Sequence, residues 1–291
     1  MKEAFVPCKK FSDKSIAVLH HANEIVQEYM AQGYQLTLRQ LYYQFVARGL
    51  FENDGRNYGM LGRLLNDGRM MGLIDWKAIV DRTRFARMNA HWPDAASIVR
   101  DAARQFKLDR WENQDHYVEV WVEKDALIDV VKTACTPLDV TCLSCRGYMS
   151  VSSVYEASKR YLFAGDEGKC LWLFHLGDHD PSGIDMTRDI RDRLEQFIGS
   201  SVYVKRLGLN MDQVEKYSPP PNPTKLKDTR AENYVSRFGK TSWELDALEP
   251  KVLVKLIKDA VEKLIDWNEW EEREKEEELS KQKLLDFSES L

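Results

Sequence analysis

Leu173-Phe174-His175-Leu176-Gly177-Asp178-His179-Asp180-Pro181-Ser182-Gly183-Ile184-Asp185 is the stretch on which the reading of this chain turns. It closes an apolar run, residues 170–176, that reads as a buried strand. The run ends in two carboxylates one residue apart, then Pro-x-Gly, then a helical pattern. Alternate positions of an extended segment point to the same side. At the carboxyl end of a parallel strand they face the crevice where open α/β sheets bind ligands. Two oxygen donors so placed suit a hard divalent cation such as Mg²⁺. The competing reading is an Asp-rich turn, with Asp185 among the early charges of the next helix. That explains Pro181 and Gly183, but not two acids capping an apolar strand.

The flanking sequence alternates strand and helix. Residues 117–122 read as a strand ending in Glu123-Lys124-Asp125, and 126–133 as a helix. Residues 139–144 form a strand ending in Cys145-Arg146-Gly147-Tyr148, followed by a helix over 151–163. After the opening strand come a helix over 183–197 and a fourth strand over 201–207. This order predicts an α/β domain with a parallel sheet flanked by helices. Glu123, Arg146 and Asp178 should emerge together at its carboxyl edge.

The N-terminal third is mainly helical. Residues 12–32 carry Ile16, Leu19, Asn23, Val26 and Met30 on one face, and Gly33 stops the helix. Thr37 with Gln40 is a capping-box pattern opening a second helix, to about residue 47. Leu38, Leu41, Tyr42 and Phe45 are its expected buried stripe. Tyr43 lies about 100° off that stripe, on the flank that also carries Arg39. A third helix over 58–71 turns Leu61, Leu64 and Leu65 inward and Arg63, Asn66 and Arg69 elsewhere. Residues 73–81 read as a β hairpin or extended wing. Three helices and a wing make a winged-helix domain, whose third helix enters the DNA major groove. Arg82, Arg84 and Arg87 add charge beyond it, and Trp92-Pro93-Asp94 opens a linker with a helix over 95–106.

Composition sets the limits. The 291 residues are 43% apolar and 31% charged, which suits a soluble two-domain protein. No apolar run approaches the roughly 20 residues of a membrane span, and the first residues lack a signal-peptide core. Five cysteines, odd in number, predict reduced thiols in a cytoplasmic protein. Cys142-x-x-Cys145 has no second ligand pair at zinc spacing and reads as two small strand residues. The net charge of −5 is concentrated in residues 266–291, where ten acids face four bases. The rest of the chain is near neutral and leaves room for a basic groove. Residues 219–223 read as a polyproline-like loop, followed by Lys225, Lys227 and Arg230. From about residue 250 a helix packs through Leu253, Leu256, Ile257, Val261 and Leu264, and an acidic solvated helix ends the chain.

Glu123 after one strand and Asp178-x-Asp180 after another resemble the signature of the Toprim domain. Arg39-Gln40-Leu41-Tyr42-Tyr43 resembles the Arg-x-x-Tyr/Phe-Tyr motif of the topoisomerase VI A subunit and its meiotic double-strand-break relatives. Val122-Glu123-Lys124, Arg146-Gly147-Tyr148 and Asp178-His179-Asp180-Pro181-Ser182-Gly183 extend the likeness over most of residues 35–210. The chain is most similar in size to the compact stand-alone mini-A proteins. It lacks the Pro-Asp that often follows Gly147-Tyr148 in the family.

The resemblance implies a winged-helix domain over 1–110 that carries the tyrosine, a Toprim domain over 111–265 and an acidic tail over 266–291. It implies Mg²⁺- or Mn²⁺-dependent cleavage of double-stranded DNA. Tyr43 would be the nucleophile, Arg39 its cationic partner, and Glu123 and Asp178 catalytic metal ligands. Asp180 would help hold a second ion. Arg63, Arg69, Lys124 and Arg146 are the expected DNA contacts. It further implies a homodimer in which the tyrosine of one protomer meets the acids of the other, and raises the question of a separate ATPase subunit of the B type. A hydrolytic Toprim nuclease and a non-catalytic winged-helix DNA-binding protein are the alternatives.

Overall fold

The computed structural model describes residues 4–6, 10–79, 89–224 and 228–291. The expected charges Arg82, Arg84, Arg87, Lys225 and Lys227, together with Cys8 and the end of the expected wing, lie outside the described residues.

Three helices open the chain: α1 (Asp13–Ala31), α2 (Leu38–Ala47) and α3 (Gly55–Met70). Each has a side-chain cap. Ser12 accepts from the Ser15 amide, Thr37 and Gln40 form the expected capping box, and Asp54 accepts from the Arg56 and Asn57 amides. The Asp54 cap starts α3 three residues before the expected boundary. The buried face of α1 is Leu19, Ala22, Ile25, Val26 and Tyr29, and Ile16 is exposed. The expected stripe is thus rotated by about one residue, and Ala22 and Tyr29 join the helical core in place of Ile16 and Asn23. Where a wing was expected, residues 73–79 contain turns and single bridges. Ile79 pairs with Leu36, and Met71 pairs with Ala4.

After α4 (Ala95–Gln105) comes the sheet, with strands β1 (His116–Val122), β2 (Thr141–Ser144), β3 (Cys170–Leu176) and β4 (Tyr203–Gly208). All pairings are parallel, in the order β2-β1-β3-β4. The connecting helices are α5 (Ile128–Cys135), α6 (Val151–Asp166) and α7 (Pro181–Ile198). Alternating side chains divide the sheet between two cores. Val118, Val120, Val122, Phe174 and Leu176 pack under α5 and α10 (Pro250–Val261). Trp121, Leu171 and Leu173 pack under α6 and α7. The chain leaves β1 toward β2 on one side and β3 toward β4 on the other. The β1–β3 boundary is therefore the topological switch point, where the crevice opens at the carboxyl ends. Glu123 and Asp178 follow those two strands.

Two further helices, α8 (Met211–Tyr217) and α9 (Ala231–Phe238), precede α10. The expected polyproline loop instead yields a two-residue strand, β5 (Asn222–Pro223), paired with β6 (Thr241–Ser242). The final helix, α11 (Trp267–Glu289), packs on α4. It is less solvated than its composition suggests. Glu277 is 1% exposed, accepts from the Leu108 amide at 3.1 Å and pairs with Arg110 and Lys281. Trp270 meets Trp111 edge-on in the core. No helix among the described residues is long and apolar enough to cross a membrane.

Candidate active site

The loop after β3 is held from below by one arginine. Arg206 Nη2 donates to the carbonyls of Gly177 (2.7 Å) and Asp178 (2.6 Å), and Nη1 donates to Gly183 (2.8 Å) and to the Thr187 hydroxyl (3.0 Å). The β3–β4 register shifts between His175 and Leu176, opposite Arg206 and Gly208. Such a bulge re-aims side chains beside a site. Burial lowers the Arg206 pKa to about 10, which leaves it cationic at neutral pH. His175 lies beneath the same loop, donating to or accepting from Thr187 Oγ1 through Nδ1 at 2.8 Å.

Burial, and then the nearby Arg206, lower the His175 pKa to about 3 from 6.5. A base with a depressed folded pKa stabilises the fold fully above 6.5, and that contribution is lost as pH falls toward 3. Urea titrations of His175→Gln should therefore show a shallower loss of stability over that interval than wild type. Parallel curves would exclude this origin.

The acids sit on this frame. Glu123 Oε2 accepts the Asp178 amide at 2.8 Å. Asp178 Oδ1 accepts the Leu245 amide at 2.8 Å, and the residue is 7% exposed. Asp180 Oδ1 accepts from Gly183 N (2.7 Å) and Ser182 Oγ (2.9 Å), capping α7. Part of the Asp-rich-turn reading therefore holds: Asp180 is a helix cap as well as an acid. His179 is buried, pairs through its backbone with Trp243 and bonds Tyr234 Oη through Nδ1 at 2.7 Å. Burial raises the pKa of Glu123, with Asp180 adding to it. Burial likewise raises that of Asp178, against the pull of Lys124. Anions held this close favour an added cation.

The cation in place is Lys124. Its Nζ lies 2.7 Å from Glu244 Oε2, 2.9 Å from Asp246 Oδ1 and 3.0 Å from Asp178 Oδ1. Burial alone would lower its pKa, but Asp246, Asp178 and Glu244 outweigh that and raise it. Lys124, expected as a DNA contact, is thus a largely covered counter-ion to three carboxylates in this structure. Arg39 completes the ring, with Nη2 2.6 Å from Glu244 and Nε 3.4 Å from Asp246 Oδ2. Asp246 Oδ2 is buried and accepts no hydrogen bond. The Arg39 guanidinium also lies 5.8 Å from the centre of the Tyr43 ring.

Tyr43 was expected on an exposed flank, yet it is 4% exposed. The turn over residues 245–247 covers it: Leu245 belongs to the sheet core, and Ala247 to the helical core with Tyr43. Burial raises the Tyr43 pKa well above its usual 10, Asp246 and Glu244 add to it, and Arg39 opposes them. A cavity of about 300 Å³, lined in part by Arg39, Tyr43, Tyr58, Asn222 and Glu244, adjoins the ring.

Among the other expected DNA contacts, Arg63 is exposed on α3. Arg146 is also exposed, with positive φ, and pairs with Asp125 at 3.1 Å. Arg69 instead braces the following turn. Its Nη2 donates to the Trp76 and Ile79 carbonyls at 2.7 and 3.0 Å, and it stacks on Trp76. Sequence reasoning missed Glu244, Asp246 and Arg206. Glu244-Leu245-Asp246 carries the acid-x-acid spacing of Asp178-His179-Asp180, and that was its signal.

The donor set fits a hard cation in kind. Each of Glu123, Asp178 and Asp180 anchors one oxygen on protein donors and has a second oxygen to offer. Mg²⁺ keeps several waters and takes only one or two carboxylates directly. The three acids do not converge on one point, however. Among the described residues, the one group of three ligating atoms within 4.8 Å of one another is His20, His21 and Glu24, on the exposed side of α1. Comparison with protein-family models and with curated proteins gave no match to this chain.

Proposed function

We propose that this chain cleaves double-stranded DNA by tyrosine transesterification, with Toprim-like acids and a winged-helix-like helical domain acting together in a homodimer. The observation that carries the reading is the contiguous set Tyr43–Arg39–Glu244/Asp246–Lys124–Asp178, which joins the expected nucleophile to the expected metal ligands. Arg39 steadies the phenol oxygen and the charge that develops on the phosphate. The Tyr43 oxygen forms a bond to phosphorus, and the bond from phosphorus to the 3′ oxygen breaks. The phenol loses its proton, and the departing 3′ oxygen gains one. The product is a 5′-phosphotyrosyl link that retains the phosphoester for religation. Glu123 and Asp178, with Asp180 nearby, would hold Mg²⁺ or Mn²⁺. When bound, it supplies positive charge to the phosphate oxygens.

In the single chain, Glu244 and Asp246 stand beside Tyr43, and their charge repels both a phenolate and a phosphate. This arrangement is a resting hold, and the reacting tyrosine must leave it. The exchange expected between protomers meets that need. Mixing Tyr43→Phe with Glu123→Gln tests it, because a hybrid dimer then keeps one intact pairing of tyrosine and acids. Each variant alone should yield no covalent protein–DNA product on a denaturing gel, and the mixture should recover nicked product. Recovery in neither the mixture nor wild type would reject the reading. Undiminished cutting by Tyr43→Phe would favour hydrolysis by water.

A further inference from the structure

A groove of about 430 Å³ runs between α7 and α9, immediately beyond the acid loop. Pro181, the residue after Asp180, lies at its edge, and Tyr234 on its wall donates to the His179 carbonyl at 2.8 Å. Ile184 and Phe238 add apolar surface. Three guanidinium groups line it: Arg188, Arg230 and Arg237.

Asp185 is the acid within the lining, and its charge is already engaged. Tyr148 Oη donates to Asp185 Oδ2 at 2.7 Å, and Arg188 Nε donates to Oδ1 at 2.9 Å. Arg188 also pairs with Asp192, and Arg230 with Asp228, at the rim. Arg230 bonds the Tyr148 hydroxyl and stacks on its ring at 5.1 Å. Arg237 is exposed and, among the described residues, lies over its neighbour Phe238, at 5.1 Å from the ring centre. The lining itself holds three guanidinium groups to one carboxylate. Asp185, Asp192 and Asp228 engage Arg188 and Arg230, and Arg237 is left to meet an anion attached to a flat, weakly polar body lying on the apolar floor.

We propose that this groove binds one nucleotide unit of a DNA strand as it leaves the acid centre. Its phosphate lies against Arg237 and Arg188, and its sugar or base lies on Pro181, Ile184 and Phe238. A nucleotide matches the groove in size and in its division into charged and apolar parts. Guanidinium groups suit phosphate oxygens through paired N–H donors. Aromatic surfaces accept bases without regard to sequence. The proposal deepens the reading of the acid centre as a DNA-cleaving site and rests on it.

The test uses the full chain in EDTA, so that no cleavage contributes. A fluorescein-labelled 20-nucleotide single strand is titrated by anisotropy at several salt concentrations. The proteins are wild type, Arg237→Ala, Arg188→Ala/Arg237→Ala and, as a charge control, Lys255→Ala on α10. Each phosphate contact contributes about 0.7 to the slope of log affinity against log salt for single strands. The double variant should bind roughly tenfold more weakly and with a slope flatter by about 0.7, because both arginines face one phosphate. Arg237→Ala should account for about half of the change, and Lys255→Ala should match wild type apart from general charge.

Circular dichroism separates misfolding from a lost contact, and Arg237→Ala removes no ion pair among the described residues. Unchanged affinity and slope in the arginine variants would overturn the proposal. So would equal weakening by Lys255→Ala, or deoxynucleoside monophosphate competing as well as the strand, which would mark a free-nucleotide site. Strand binding that depends on Arg237, in a protein that never cleaves, would sustain the groove and reject the cleavage reading instead.

Discussion

Gly183→Ala is expected to unfold the site. An added Cβ would lie 2.2 Å from the Asp178 carbonyl oxygen and 3.0 Å from its carbon. The clash is with backbone, and that backbone is pinned. Arg206 Nη2 holds the same carbonyl oxygen at 2.6 Å, and Glu123 holds the Asp178 amide. Relief would require the acid loop and the first turn of α7 to separate, breaking the Asp180 cap. Overpacking usually costs about 1–3 kcal/mol, and a rigid backbone contact belongs at or above the top of that range. The urea midpoint should fall by a matching amount. Gly165→Ala, whose Cβ would meet Leu171 at an ordinary 3.7 Å, should change stability by no more than about 1 kcal/mol. Equal midpoints for the two variants would refute the close approach.

Lys124→Met should be comparably severe for an electrostatic reason. It removes the ammonium that lies within 3.0 Å of three carboxylates, all of them mostly buried. Breaking a buried ion pair on one side costs about 3–5 kcal/mol, because charge is left uncompensated. Three predictions follow from the sign of that charge. The defect should be largest at neutral pH and shrink as acid protonates the carboxylates. Added Mg²⁺ should stabilise the variant more than wild type, because a bound cation replaces the missing charge and meets no competing ammonium. Lys124→Arg should recover part of the stability. Differential scanning fluorimetry across pH and Mg²⁺ reads all three. A variant as stable as wild type at neutral pH would show that the ring contributes little.

The same ring explains why a helix-by-helix reading misplaces Tyr43. Periodicity gave the geometry of α2 correctly, with Arg39 and Tyr43 on one flank beside the Leu41, Tyr42 and Phe45 stripe. It assigned that flank to solvent, because nothing in residues 37–47 indicates a second covering surface. The cover comes from Glu244, Leu245 and Asp246, about 200 positions away. The ion pairs of Lys124 are hidden in the same way: beside Glu123 it reads as a DNA contact, and two of its three partners, Glu244 and Asp246, lie about 120 positions away. Arg69 reads as a groove-facing charge, yet the turn it braces follows its own helix.

The sequence by itself determined the parallel sheet, the strand ends that carry Glu123 and Asp178, the Thr37 capping box and the placement of most helices. These depend on local apolar periodicity and on hydrogen bonds between near neighbours, both written in consecutive residues. Only the tertiary structure decided the strand order that makes β1–β3 the switch point, the Arg206 staple and the meeting of Arg39, Lys124, Glu244 and Asp246. Each of these joins residues far apart in the chain. Their charges meet where the turn at 245–247 joins the sheet core to the helical core, a juxtaposition that no run of consecutive residues encodes.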